Sequence, residues 1–133
     1  MTQQECNDII SKLDKENYSF GLAMRYIRQK QGLTIRKVAK DVKKTPTYIS
    51  DIERGNNKAP EKELMQQILV VLEIEGTQLQ DYLYDLAAKE RGKVSEDIAD
   101  YIMEHEDLRV VIRMTQQQKA GKEFWTECIK RIQ

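Results

Sequence analysis

The chain has 133 residues, 33% of them charged, with 22 Lys and Arg balanced by 22 Asp and Glu. That length suits one domain or a small domain with a substantial extension, and the composition fits a soluble, helix-rich protein. No apolar run approaches the ~18 residues of a membrane span, the N-terminal MTQQECNDII lacks the basic-then-apolar layout of a secretory signal, and Cys6 and Cys128 have no metal-ligand spacing and read as free thiols in a reducing cytosol.

The pattern is helical from end to end, with no alternating strand run and no hairpin signal. Thr2-x-x-Glu5 has the form of a capping box ahead of Ile9, Ile10 and Leu13, which predicts a short N-terminal helix. Ser19 is placed to cap a second helix, with Phe20, Ala23, Met24 and Ile27 on one face and a stop at Gly32. Thr34 caps a third, with Val38, Ala39 and Val42 turned inward. Thr45 caps a fourth. Pro46 stands in its first turn, where the missing N–H costs nothing, and Gly55 ends it. After a loop to Pro60, Leu64, Ile68, Leu69 and Leu72 mark a fifth helix. Thr77-x-x-Gln80 reads as the cap of a sixth with Leu79, Leu83 and Leu86 inward, and AKERGK reads as a polar break near Gly92. Ser95 then opens a tail with Ile98, Tyr101 and Ile102. Leu108, Val111 and Ile112 continue the apolar pattern, and a last helix holds Phe124, Trp125, Ile129 and Ile132.

The zero net charge hides a strong asymmetry. Between Phe20 and Pro60 stand ten Lys and Arg against three acids, which is +7. The residues from Glu61 onward hold ten bases and fifteen acids, and the first nineteen hold two bases and four acids, or −5 and −2. A basic segment inside an acidic chain points to a polyanion partner on one face.

Two short helices, about Ile35–Asp41 and Pro46–Arg54, are joined by Val42, Lys43, Lys44 and Thr45. A joint this tight sets the helices at a steep angle and lets the second one protrude. A major groove ~12 Å wide admits one α-helix. The outward face of the second helix offers Thr45, Thr47, Tyr48 and Asp51, with Ser50 near the surface, and these side chains can hydrogen-bond base edges or touch a thymine methyl. Half-core packing is a competing role for Tyr48. Lys43, Lys44, Arg54 and Lys58 flank the helix and suit phosphates, which supply affinity and register without sequence information.

The stretch GLTIRKVAKDVKKTPTYISDIERGNNKAP, Gly32–Pro60, resembles the phage-repressor/Cro-like helix-turn-helix family, also called the XRE family, and the resemblance extends over about Phe20–Leu72. It rests on the Gly-Leu-Thr entry, an Ala in the first motif helix, and Ile-Ser-x-Ile-Glu-x-Gly followed by a Pro. It implies a DNA-binding transcriptional regulator, usually dimeric. By position in the family pattern, Pro46, Thr47, Tyr48 and Asp51 fall where bases are read, and Arg54, Asn56, Asn57 and Lys58 where backbone phosphate is met. The start of the first motif helix, Thr34–Ile35, offers free N–H groups to another phosphate. Arg28 and Glu53 take the places of a partly buried ion pair. Two positions depart from the pattern. Ile35 stands where a phosphate-bonding Gln is common. Lys43 stands where the turn usually has Gly, so it must adopt positive φ or the turn must differ.

The expected architecture is all-α: a lambda-repressor-like five-helix DNA-binding domain at 19–76, preceded by a helical arm at 1–18 and followed by a helical extension at 77–133. The extension's apolar stripes require a partner surface, either the domain itself or a second subunit, and a homodimer with an interface at Phe124, Trp125, Ile129 and Ile132 is expected. The expected function is a cytoplasmic, sequence-specific double-stranded DNA-binding regulator that acts as a repressor. The alternative is an antitoxin-like protein-interaction module that engages a protein partner through the extension and autoregulates through its helix-turn-helix. No catalytic set, cofactor motif or metal cluster is apparent; His105, in a Glu-His-Glu triplet, reads as a solvated side chain.

Overall fold

The computed structural model describes Met1 to Gln133 and contains nine α-helices. They are α1 (Gln3–Lys15), α2 (Phe20–Lys30), α3 (Ile35–Asp41), α4 (Pro46–Glu53), α5 (Lys62–Val71), α6 (Thr77–Arg91), α7 (Glu96–Glu104), α8 (Glu106–Gln117) and α9 (Lys122–Ile132). The chain divides into two compact units, Met1–Asp97 and Ile98–Gln133, with the division inside the first turns of α7.

In the first unit the hydroxyl residues set the helix starts. Thr2, Ser19, Thr34 and Thr45 each occupy an N-cap with extended backbone, and each accepts a hydrogen bond from an amide three residues on. Such a cap satisfies one of the orphan N–H groups of the first turn and is worth about 1 kcal/mol. The apolar stripes then meet in one core. Ile9 and Leu13 of α1, Phe20, Met24 and Ile27 of α2, Val38 of α3, Ile49 and Ile52 of α4, Met65 and Ile68 of α5, and Leu79 and Leu83 of α6 are all buried there. Helix α2 packs on both α4 and α6, α1 packs on α6, and α3 packs on α4 and α5.

One helix start differs from the sequence expectation. The N-cap of α6 is Gly76, without a side-chain cap, and Thr77 is the first helical residue. Gln80 turns back to donate through Nε2 to the carbonyl of Ile74 at 2.6 Å, so the T-x-x-Q pattern holds the preceding loop rather than closing a capping box. The polar break expected near Gly92 is the end of α6. The helix runs through Arg91 and stops at Gly92, which takes the left-handed conformation at φ +68. Ala, Lys, Glu and Arg are strong helix formers, and their polarity marks a solvent face here. With Leu79, Leu83 and Ala87 in the shared core, α6 is part of the first unit, as is α1.

The second unit has another character. His105 separates α7 from α8. Arg109 donates to the carbonyls of Ile102 at 3.0 Å and Met103 at 2.6 Å, which satisfies the open end of α7. The His105 ring lies 4.1 Å from that of Tyr101, and its Nδ1 donates to the Tyr101 carbonyl at 2.8 Å. Helix α8 closes with Lys119 at φ +56, and the rings of Phe124 and Trp125 meet edge to face at 4.8 Å in α9. No side chain from Ile98 onward is buried, and Val110, Val111, Met114, Phe124, Trp125 and Ile129 are all exposed. No helix of the chain is long and apolar enough to cross a membrane.

Candidate nucleic-acid interface

Helices α3 and α4 are joined by Val42, Lys43, Lys44 and Thr45. Val42 is buried and fixes the corner from inside. Lys43 adopts φ +58, its amide donates to the Lys40 carbonyl at 3.2 Å, and the Lys44 amide donates to the Ala39 carbonyl at 2.9 Å. A left-handed residue closing a helix with two such bonds is the geometry for which glycine is favoured. The chain makes the turn with a lysine: of the two alternatives at Lys43, positive φ is the one present, and its side chain is exposed.

Thr45 then caps α4 through its Oγ1, which accepts from the Tyr48 amide at 3.1 Å, and Pro46 opens the first turn. Ile49 and Ile52, three residues apart, share the buried face. The opposite face has Thr45, Pro46 and Thr47 exposed. Tyr48 is half-buried and packs against the core, with the Lys44 ammonium 5.5 Å from its ring centre. Asp51 is also half-buried, and its carboxylate pairs with Arg54 at 3.0 Å. The acid therefore has a cationic partner within its own helix end, which offsets the repulsion it would otherwise exert on a phosphate.

The end of α4 is locked from three sides. Gly21 of α2 lies so close that a Cβ there would collide with the carbonyl oxygens of Ile52 and Glu53. Glu53 is buried and receives Arg28 at 2.6 Å and Arg25 at 3.4 Å. Gly55 turns the chain at φ +79, and the amides of Asn56 and Asn57 both donate to the Asp51 carbonyl, at 2.9 and 3.2 Å. Asn56, Asn57 and Lys58 are left exposed beside the helix end, before the buried Ala59 and Pro60.

Thr34, Lys43, Lys44, Arg54 and Lys58 are exposed around α3 and α4. Ile35 is half-buried against the core, consistent with an apolar residue in place of the common Gln. The side of the unit built by α6 has the opposite sign: partial burial, then the charges of Asp97 and Asp85, raise the Asp81 carboxyl above its ordinary value. Burial followed by Asp97 and Asp81 raises Tyr84 likewise.

Three residues of this architecture were not singled out from the sequence: Gly21, Arg25 and Arg91. Gly21 had a signal, because a glycine within a helix often marks a close backbone approach. The two arginines had none beyond their charge.

A helix-turn-helix family model (HTH_3) matches residues 24–79. Residues 24–79 form a helix-turn-helix domain of the XRE family. No curated protein and no solved structure matches the chain. The helix-turn-helix domain begins within α2 and ends in the first turn of α6, so α1, most of α6 and all of α7 to α9 lie outside it. Its two motif helices are α3 and α4, and the match over this domain supports DNA binding through them.

Proposed function

We propose that the protein is a cytoplasmic, sequence-specific repressor that binds double-stranded DNA as a homodimer, with α4 in the major groove. The observation that carries this reading is the outer face of α4: small, exposed Thr45, Pro46 and Thr47, edged by Tyr48 and Asp51 and ringed by exposed cations. Thr45, Pro46, Thr47, Tyr48 and Asp51 read bases. Pro46 and Tyr48 favour shape and methyl contacts over amide–adenine pairing, and Asp51 orients Arg54 while its carboxylate faces the groove. Thr34, Lys43, Lys44, Arg54, Asn56, Asn57 and Lys58 meet phosphates on either side. Arg28 and Glu53 hold the reading helix against α2.

Selection from random duplex DNA, followed by a salt titration on the enriched sequence, tests the reading. It predicts an enriched motif and a steep linear fall of log affinity with log salt. Recovery of no motif, together with no binding at low ionic strength, contradicts it.

The residues from Ile98 onward support a protein contact, since each of their helices exposes apolar side chains. A second copy of the chain is the partner of choice: two-fold pairing places two reading helices about one helical turn, ~34 Å, apart on DNA. Sedimentation of the full chain then gives a dimer. A monomer that gains a different protein partner favours the antitoxin-like alternative, in which DNA binding serves autoregulation.

A further inference from the structure

The last turn of α6 lies outside the family match, yet it holds two parts of the DNA-binding domain. Arg91 donates through Nη1 to the carbonyls of Pro60 at 2.9 Å and Ala59 at 3.3 Å. Its neighbour Glu90 accepts, through Oε1, from the Phe20 amide at the start of α2 at 3.0 Å. The near end of the α4–α5 loop is fixed by the Asp51 carbonyl, which receives the amides of Asn56 and Asn57. The far end is fixed by Arg91. Asn56, Asn57 and Lys58 stand exposed between those two anchors.

We infer that Arg91 is a positioning residue for DNA binding: it sets the height and direction of the 55–60 loop so that Lys58 is presented to a phosphate beside α4. This rests on the phosphate role proposed above for that loop. A charged donor on carbonyl acceptors makes a stronger hydrogen bond than a neutral one. Its support is rigid, because Leu79, Leu83 and Ala87 bury the same helix in the core. Without Arg91 the far end keeps only the packing of buried Ala59 and Pro60 and loses its hydrogen bonds, and the conformational freedom the loop gains must be given up on binding DNA. Arg91 does not need to touch DNA for this. It acts by keeping the bound shape of the loop in the free protein.

A double-mutant cycle on the affinity of the full chain for a mixed-sequence duplex at low salt separates this role from a general charge effect. Lys58→Ala weakens binding about tenfold and lowers the salt slope by about 0.9, the contribution of one phosphate contact. Arg91→Met weakens binding by a similar factor, alike for every sequence, and has a clearly smaller effect once Lys58 is Ala, when only the Asn56 and Asn57 contacts are left to lose. Arg91→Lys, which keeps a donor and the charge, restores part of the loss. Thermal unfolding checks that the variants are folded, and Arg91→Lys is taken through the same cycle if Arg91→Met is not. Additive losses, about a hundredfold for the pair, overturn the positioning role, as does an Arg91→Met protein that binds as the parent does while Lys58→Ala is weakened. If Lys58→Ala leaves affinity and slope unchanged, the phosphate reading of the loop fails first, and the role of Arg91 falls with it.

Discussion

Arg28 grips Glu53 at two points inside the protein: its Nε lies 2.6 Å from one carboxylate oxygen and its Nη2 lies 3.0 Å from the other. The remaining guanidinium nitrogen, Nη1, donates to the Leu33 carbonyl at 2.8 Å. One side chain thus joins the end of α2, the turn into α3 and the end of α4. Glu53 is 1% exposed and Arg28 7%, so neither can turn to water if its partner is removed.

Breaking one side of such a pair costs on the order of 3–5 kcal/mol, because the buried carboxylate loses its two short bonds and keeps only the half-exposed Arg25 at 3.4 Å. Arg28→Ala should lower stability by that amount in urea unfolding. Arg25→Ala, whose side chain is 41% exposed, should cost less than about 1 kcal/mol. Equal small losses for both would show that the pair does not clamp α4.

Lys43 is the residue whose backbone and side chain pull in opposite directions. A left-handed conformation costs a non-glycine residue roughly 1–2 kcal/mol, part of which glycine loses again through the freer unfolded chain. Lys43→Gly should therefore stabilise the fold by about 1 kcal/mol in chemical denaturation. The same variant should bind DNA more weakly, with a salt slope lower by about 0.9, if Lys43 meets a phosphate. A rise in stability with unchanged DNA binding would separate the turn from the interface.

Thr47 and Lys58 are assigned different work at the same surface, and affinity measured across a panel of single-base operator variants distinguishes them. Thr47→Ala should relax discrimination at one base step by roughly 1–3 kcal/mol, while Lys58→Ala should weaken all sequences alike. Uniform losses from both would contradict the base-reading role of Thr47.

Asp81 gives a pH dependence of known sign. Its carboxyl is raised above its ordinary value, first by partial burial and then by Asp97 and Asp85, so the native state holds that proton more tightly than the unfolded chain does. Stability is then lost as pH rises from the ordinary carboxylate range through the raised value, and the cost persists at neutral pH. Asp81→Asn should raise the thermal midpoint at neutral pH, and the gain should vanish in acid below the ordinary carboxylate range. A gain that is the same at both ends of the pH range would assign the effect to something other than this ionisation.

Much of the fold is legible where a side chain acts on its own backbone. A hydroxyl three residues ahead of an amide, as in Thr2, Ser19, Thr34 and Thr45, finds its partner within the same turn. The sequence therefore locates α1 to α4 closely. Local pattern misleads where a distant group competes. Gln80 answers Ile74 instead of its own helix start. The charged end of α6 stays helical as far as Arg91 and stops at Gly92, where a break is expected. The helix break at His105 has no glycine or proline to announce it; Arg109, four residues on, makes it affordable by satisfying two carbonyls.

The candidate site divides the same way. Pro46, Gly55 and the basic flanks were readable from type and spacing, whereas the positive φ at Lys43 was one of two alternatives the sequence left open. Asp51 and Arg54 stand three positions apart on one helix, a spacing that permits their pairing without requiring it. The reach of Arg91 to Ala59 and Pro60, some thirty positions back along the chain, was not readable at all, because nothing local depends on it.

The central claim is that α4 and its cationic surround form the surface that meets duplex DNA. Backbone amide chemical shifts, recorded as a selected duplex is titrated into the full chain, test it most directly. The predicted result is a set of large, saturable changes at Thr34–Ile35, Lys43–Asp51 and Arg54–Lys58, with the α1 and α6 helices little affected except near Glu90 and Arg91. Changes concentrated on α1, on the acidic face of α6 or beyond Ile98, with α4 silent, would contradict it.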